Sequence, residues 1–229
     1  MMISPEGYYE MELKGKPAED IAKKIRGLKN EIGHLKKTVE SPDYGTEPVI
    51  LPTPGMQLWC TRQYLERAIA AYEEAGGTYK PSKAEQRAAE FNAAIPTITK
   101  VTFSIGAFFG GQETRTITLT ENDLQMDIDR TVIPEPTEQD TESEDQPTKD
   151  EFLEELRDIH IGEWRRYYDA SDYGVIVLDG TQWELTIEYA DGRQNKHGGS
   201  NAYPFSFDVL CELIGYKRYD ENEDIPDDE

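Results

Sequence analysis

The sequence predicts an α+β fold, in which three N-terminal helices precede an antiparallel sheet of five or six strands with two helices packed on one face. Two observations support this prediction. Apolar residues recur at heptad-like spacing between Ile21 and Val39, which is typical of a helix that packs against another helix. Strict alternation of apolar and polar residues, typical of a half-buried strand, occurs in two separate regions, around Phe103 and around Ile187.

Each of the three N-terminal helices has recognisable ends. The first begins after Pro17, which suits the first turn of a helix, and stops at Ser41. The second spans residues 55–75, and the third opens at Ser82 with a Ser-x-x-Glu capping box and ends before Pro96. We expect the first two helices to pair antiparallel through their apolar faces. The first helix, 17–40, carries a basic face at Lys23, Lys24, Arg26, Lys29, Lys36 and Lys37.

Two groups of strands are expected to form one sheet, since neither group alone buries enough apolar surface. Residues 97–132 predict a three-stranded meander that turns at Gly110-Gly111. Residues 173–200 predict three further strands, because the Asp-Gly pairs at 179–180 and 191–192 suit tight hairpin turns. Gly198-Gly199-Ser200 is expected to leave the sheet before a short apolar helix at 205–214.

Another helix is predicted at 150–168, opened by a Thr-x-x-Glu capping box at Thr148. Its exposed side carries the carboxylates of Asp150, Glu151, Glu154, Glu155, Asp158 and Glu163. The expected organisation is therefore a helical region at 1–95, an α+β domain at 96–215 with an acidic insertion at 134–149, and an acidic tail at 216–229.

The net charge of −22 is concentrated in the C-terminal half of the 229 residues. Residues 1–95 carry 13 Lys/Arg and 14 Asp/Glu, whereas residues 134–229 carry 8 Lys/Arg and 27 Asp/Glu. The negative electrostatic potential of this acidic half repels nucleic acid and attracts basic surfaces. We therefore expect no direct nucleic-acid binding. The chain has no apolar run of membrane-spanning length and no signal segment, which predicts no membrane contact and a cytoplasmic location.

No pattern in the sequence is typical of catalysis or metal binding, so we expect no enzyme, metal or cofactor. Cys60 and Cys211 are expected to be buried, reduced thiols. His160 and Glu163 could form a general base with its orienting carboxylate, and Gly198-Gly199-Ser200 could bind an anion through backbone amides. We favour the commoner alternatives, a histidine at the rim of a helix and a strand-to-helix loop. An enzyme would require a pocket around His160, Trp183 and Asn201.

Carboxylates on a rigid helix offer a second interpretation of the acidity. A basic channel built for nucleic acid would bind a helix face whose charges are spaced like phosphates. Composition alone favours the simpler alternative, in which the acid only confers solubility. If the face is functional, the residues that bind the partner are Glu151, Glu154, Glu155, Asp158 and Glu163.

Five sequence strings carry a resemblance. They are KIRGLKNEIGHLKKTVESPDY at 24–44, SIGAFFGGQETRTITL at 104–119, DIHIGEWRRYYD at 158–169, and LDGTQWELTIEYADG with GSNAYPFSFDVL at 178–192 and 199–210. In these strings the chain resembles an uncharacterised family of acidic proteins from mobile elements of gut Firmicutes. The resemblance implies a context in which small acidic proteins frequently inhibit host defence, among them anti-CRISPR proteins that occupy nucleic-acid channels.

The resulting expectation is a non-enzymatic acidic protein that inhibits a basic nucleic-acid-handling protein, such as a Cas nuclease, by occupying its basic channel. The alternative is a structural or regulatory partner of a conjugative element. That protein would act through the N-terminal helical hairpin and the basic helix 17–40.

Overall fold

The structure is a computed structural model that describes residues 3–45, 50–107, 111–121, 123–131, 147–177 and 180–216. Most of the acidic insertion, most of the tail, and the turn residues Gly110 and Asp179 lie outside the described residues. The fold is mixed α+β, as predicted. The described helices are α1 (Pro5–Tyr8), α2 (Ala18–Val39), α3 (Pro54–Glu74), α4 (Lys83–Ala94), α5 (Lys149–Asp158) and α6 (Phe207–Leu213), and the strands are β1 (Ile98–Ala107), β2 (Gly111–Leu119), β3 (Leu124–Thr131), β4 (Tyr167–Asp169), β5 (Thr181–Tyr189) and β6 (Gln194–Ser200).

The chain divides into two compact units. The first comprises Met1–Gln86 with Asp169–Ile176 and Ala202–Phe205. The second comprises Arg87–Tyr168, Val177–Asn201 and Ser206–Glu229, and it holds most of the sheet.

The first unit is built around the apolar face of α2. Ile21, Ile25 and Leu28 are buried in one cluster with Ala68 and Ala71 near the end of α3. Because the start of α2 meets the end of α3, the two helices are antiparallel, as predicted. A short α1 and a π-helical turn at Tyr9–Leu13, which sequence reasoning did not predict, precede them.

The sheet of the second unit has the strand order β3-β2-β1-β5-β6-β4. Antiparallel pairing of β1 with β5 joins the two strand groups into one sheet, as expected. One face is apolar: Phe103, Trp183 and Leu185 are almost fully buried. Phe207 of α6 packs on this face, with its ring 5.9 Å from Phe103 and 5.0 Å from Trp183 between centroids. The opposite face is polar and rich in threonine.

Helix 150–168 is shorter than predicted. It ends at Asp158, because His160 adopts the left-handed backbone conformation at φ 58° and the chain then forms a 3-10 turn at Ile161–Glu163. Gly162 in this turn lies against α4, where an added Cβ would stand 2.8 Å from the Cβ of Phe91. Glu163 therefore belongs to the turn and not to the helix.

The predicted strand topology after residue 165 is also wrong in two places. Residues 174–177 form no strand, and the extra strand is β4, which precedes a 3-10 turn at Ala170–Tyr173. Gly198-Gly199-Ser200 does not leave the sheet but completes β6. The amide of Gly198 donates to the carbonyl of Arg166, and a Cβ at Gly198 would lie 3.0 Å from the carbonyl oxygen of Trp183. Close strand packing thus explains the glycine.

Candidate functional site

Helix α5 begins with the predicted capping box. The amide and hydroxyl of Thr148 donate to the carboxylate of Glu151 at 2.9 and 2.7 Å, and the amide of Glu151 faces the hydroxyl of Thr148. Phe152 and Leu156 are fully buried and anchor one side of the helix. The ammonium of Lys149 donates to the carbonyl of Thr120, at 2.6 Å, in the turn between β2 and β3. The orientation of α5 is therefore fixed at its first turn.

The exposed side of α5 presents four of the five predicted partner-binding carboxylates, Glu151, Glu154, Glu155 and Asp158. They do not all have the same environment. Glu151 is part of the cap, where hydrogen bonds from the backbone and hydroxyl of Thr148 lower the pKa of its carboxyl. Across the described ranges, no residue forms an ion pair with Glu154, Glu155 or Asp158.

Glu163, the fifth predicted residue, is separate from this row. It lies in the 3-10 turn, and its carboxylate is 3.8 Å from Nδ1 of His160. That separation is longer than a hydrogen bond, so the described geometry does not assemble a histidine base with its orienting carboxylate.

Two further carboxylates, which sequence reasoning did not consider, lie on the predicted third strand. Asp127 and Asp129 are exposed on β3, at the edge of the sheet and on its polar face. Their alternation with Met126 and Ile128 was the available signal. Since Lys149 ties the start of α5 to the turn that leads into β3, the second unit carries exposed acid on two connected elements.

A cavity of about 830 Å³ opens on the polar face of the sheet. Glycines remove side chains from its floor at Gly106 and Gly198, and its lining includes Tyr167, Glu184 and Lys196. It is built from strands that are distant in sequence, which is why no local pattern indicated it.

The cavity on the polar face is not the pocket around His160, Trp183 and Asn201 that an enzyme would require. Trp183 lines the cavity, but neither His160 nor Asn201 does. Asn201 instead accepts a hydrogen bond of 2.7 Å from the amide of Thr181, at the start of β5.

The basic face of α2 is partly neutralised within the first unit. Lys23 pairs with Asp20 at 2.8 Å, Lys24 with Glu12 at 2.6 Å, and Lys29 with Glu85 at 2.8 Å. The ammonium of Lys36 lies 4.6 Å from the ring centroid of Phe205. Much of the charge predicted to be available on this face is therefore engaged. Of the six basic side chains on this face, Lys23, Arg26 and Lys37 are exposed, and Lys23 is held in the ion pair with Asp20.

Within the described part of the chain, no helix combines the length and apolar character needed to cross a membrane. Comparison with protein-family models, curated proteins and solved structures finds no match to the chain.

Proposed function

We propose that this chain is a non-enzymatic binding protein whose acidic surface engages a basic nucleic-acid-binding protein. The observation that supports the proposal is the row of exposed carboxylates at Glu154, Glu155 and Asp158, which form no ion pair with any described residue. They stand on a helix whose start is fixed by the Thr148–Glu151 capping box. Because the row is already ordered, little backbone entropy is lost when a partner binds it.

The number of carboxylates per unit length of α5 is comparable to the number of phosphates per unit length of a DNA strand. Seven residues separate Glu151 from Asp158, which corresponds to about 10.5 Å along the axis of an α-helix. Four carboxylates over this distance correspond to one per about 3.5 Å of helix axis on average. A DNA strand carries one phosphate per about 3.4 Å of its own axis. A groove that follows phosphates would meet a comparable density of negative charge.

In its most concrete form, the proposal is an anti-CRISPR-type inhibitor that occupies the nucleic-acid channel of a Cas nuclease in the cytoplasm. The sequence resemblance to mobile-element proteins supports this choice of partner. The chain itself would bind no nucleic acid and carry out no reaction, and its inhibition would act through competition for the channel. Such binding weakens as salt rises, as the binding of DNA does.

Charge reversal on α5 tests this function. The triple variant Glu154→Lys, Glu155→Lys, Asp158→Lys is compared with a control of equal net charge, Glu31→Lys, Glu66→Lys, Glu73→Lys, whose sites are exposed in the first unit. Binding to a panel of purified Cas nucleases, and competition with their DNA, are measured at low and high salt. We expect the α5 variant to lose binding and the control to retain it. Equal binding by both variants, or no binding of the native chain to any nuclease at low salt, contradicts the proposal.

The alternative, a partner of a conjugative element, has one supporting observation. Arg26 and Lys37 are both exposed, and their separation of eleven residues places them on one face of α2. Reversal of both charges, Arg26→Glu with Lys37→Glu, would abolish binding to that element's proteins but leave binding to a Cas nuclease intact. The two functions are therefore distinguishable with the same purified proteins.

A further inference from the structure

Four large apolar side chains are exposed within ten residues, just before and in the first turns of α3. Ile50 is 81% exposed, Leu51 73%, Met56 45% and Trp59 62%. We call these four residues the Trp59 patch. Single exposed apolar residues are ordinary, but a group of them on one surface usually marks a site of protein association. Tryptophan is also the residue that most often dominates the energy of such sites.

Packing within the first unit does not use this patch. The buried side of α3 is formed by residues such as Leu58, Ala68 and Ala71. Met56 and Trp59 lie three residues apart and are neighbours on another side of the helix. The side-chain amide of Gln57 donates to the carbonyl of Pro52 at 2.7 Å, which holds the preceding segment with Leu51 against the first turn. The patch is thus held in place while its side chains remain in solvent.

The charge of the surroundings indicates what covers the patch. Residues 48–65 contain one arginine, Arg62, and no Asp or Glu, in a chain that has 46 of these acids. Residues 1–86 carry 12 Lys/Arg and 13 Asp/Glu, so the sequence around the patch is nearly neutral. Two copies with a net charge of −22 repel each other over most of their surface, but not where acid is absent. A charged partner would find no complementary charge among residues 48–61.

We infer that the Trp59 patch is a self-association surface, on which the same four residues of a second copy pack about a twofold axis. An isologous contact of this kind packs the apolar side chains of one copy against those of the other. It also brings together the nearly neutral surfaces around the two patches. The inference is independent of the proposed function, because it involves no residue of α5 or β3.

Sedimentation of the full-length protein over a concentration series tests the inference. The variant Met56→Ala, Trp59→Ala is compared with the control Ile176→Ala, Val209→Ala, which removes two exposed apolar side chains elsewhere. We expect a reversible dimer for the native chain and the control, and a dissociation constant at least about tenfold higher for the patch variant. A native chain that stays monomeric at all concentrations overturns the inference. So does a patch variant that dimerises as well as the control.

Fluorescence gives a second, independent measurement. Of the three tryptophans, Trp164 is 2% exposed and Trp183 4% exposed, so acrylamide quenches chiefly Trp59. Dimerisation through the patch would reduce this quenching as protein concentration rises. Quenching that stays constant while a dimer forms would show that the copies meet elsewhere and would overturn the inference.

Discussion

The imidazole of His197 and the carbonyl of Arg165 are joined by a hydrogen bond, with Nδ1 of the ring 2.7 Å from the oxygen. This bond places the proton on Nδ1, because a carbonyl can only accept. Nε2 is then the unprotonated nitrogen, and it is buried with no hydrogen-bond partner among the described residues. The ring stands edge-on to Trp164, on the apolar face of the sheet. Protonation of His197 would therefore introduce a buried charge.

The first prediction concerns the pH dependence of stability. Burial lowers the pKa of His197 below its ordinary 6.5, so the unfolded chain takes up the proton at a higher pH than the folded chain. The stabilisation is complete above pH 6.5 and is lost as pH falls below that value. We expect the unfolding free energy of the native chain to decrease from about pH 7 to pH 5 more steeply than that of His197→Asn, which retains a donor for Arg165. Urea titrations at each pH measure the unfolding free energy of the native chain and of the variant. An equal pH dependence of the two free energies contradicts the prediction.

The second prediction concerns Glu85, which closes the capping box of α4. Burial raises the pKa of its carboxyl, but hydrogen bonds from Lys29, Tyr79 and Ser82 outweigh this effect and lower the pKa from 4.5 to about 2. The stabilisation is therefore present above pH 4.5 and is lost as pH falls towards 2. Because the side chain is 33% exposed, solvent screening reduces the effect, and Glu85→Gln should cost about 1–2 kcal/mol at neutral pH. At about pH 2 the difference should nearly vanish.

Chemical unfolding of Glu85→Gln and of the exposed control Glu73→Gln at neutral and acid pH measures this difference. The control should lie within about 0.5 kcal/mol of the native chain at both pH values. A loss in Glu85→Gln that is independent of pH would mean that the charge of Glu85 is not what stabilises α4.

The third prediction concerns the contribution of the α5 capping box to stability. Glu151→Ala removes half of the capping box and should lower the unfolding free energy. Glu154→Ala removes an exposed carboxylate that is not ion-paired within the described ranges, and it should change the unfolding free energy by less than about 0.5 kcal/mol. Thermal unfolding followed by circular dichroism measures both changes. Equal destabilisation by the two variants would show that the cap contributes nothing specific.

The fourth prediction uses two glycines with opposite environments. A Cβ at Gly162 would lie 2.8 Å from the Cβ of Phe91 and 2.9 Å from the Cα of Ala88, so Gly162→Ala should destabilise the protein by about 1–3 kcal/mol. At Gly33, inside α2, no described atom other than the chain neighbours and the helix's own nearby backbone lies within 4 Å of the added Cβ. Gly33→Ala should therefore stabilise the protein by about 0.5–1 kcal/mol. Denaturant titration of the two variants measures both changes in unfolding free energy. Destabilisation by the Gly33 substitution would contradict this account of α2.

Elements with a strong local pattern could be predicted from the sequence. The spacing of Ile21, Ile25 and Leu28 predicted a paired helix, and the alternation from Trp183 to Tyr189 predicted a strand with one buried face. These patterns arise because one side of each element is removed from water along its whole length.

Features that depend on distant contacts could not be predicted. The end of α5 is set by the left-handed conformation of His160 and by the contact of Gly162 with α4. Strand β4 has three residues, too few for a period to appear. Gly198 has low strand propensity, yet it lies within β6. A glycine suits this position because a Cβ would stand 3.0 Å from the carbonyl oxygen of Trp183 on the neighbouring strand. The polar cavity gathers residues from several strands and has no counterpart in any local segment.

The two edges of the sheet have a consequence for how this protein behaves at high concentration. An open edge can recruit a strand from another molecule and so begin aggregation. Here one edge, β3, presents Asp127 and Asp129, and the other edge, β4, is only three residues long. Both features discourage strand addition, the first by repulsion and the second by shortness. Asp127→Asn with Asp129→Asn removes the first barrier and leaves the second, so we expect fibrils of this variant to grow from β3.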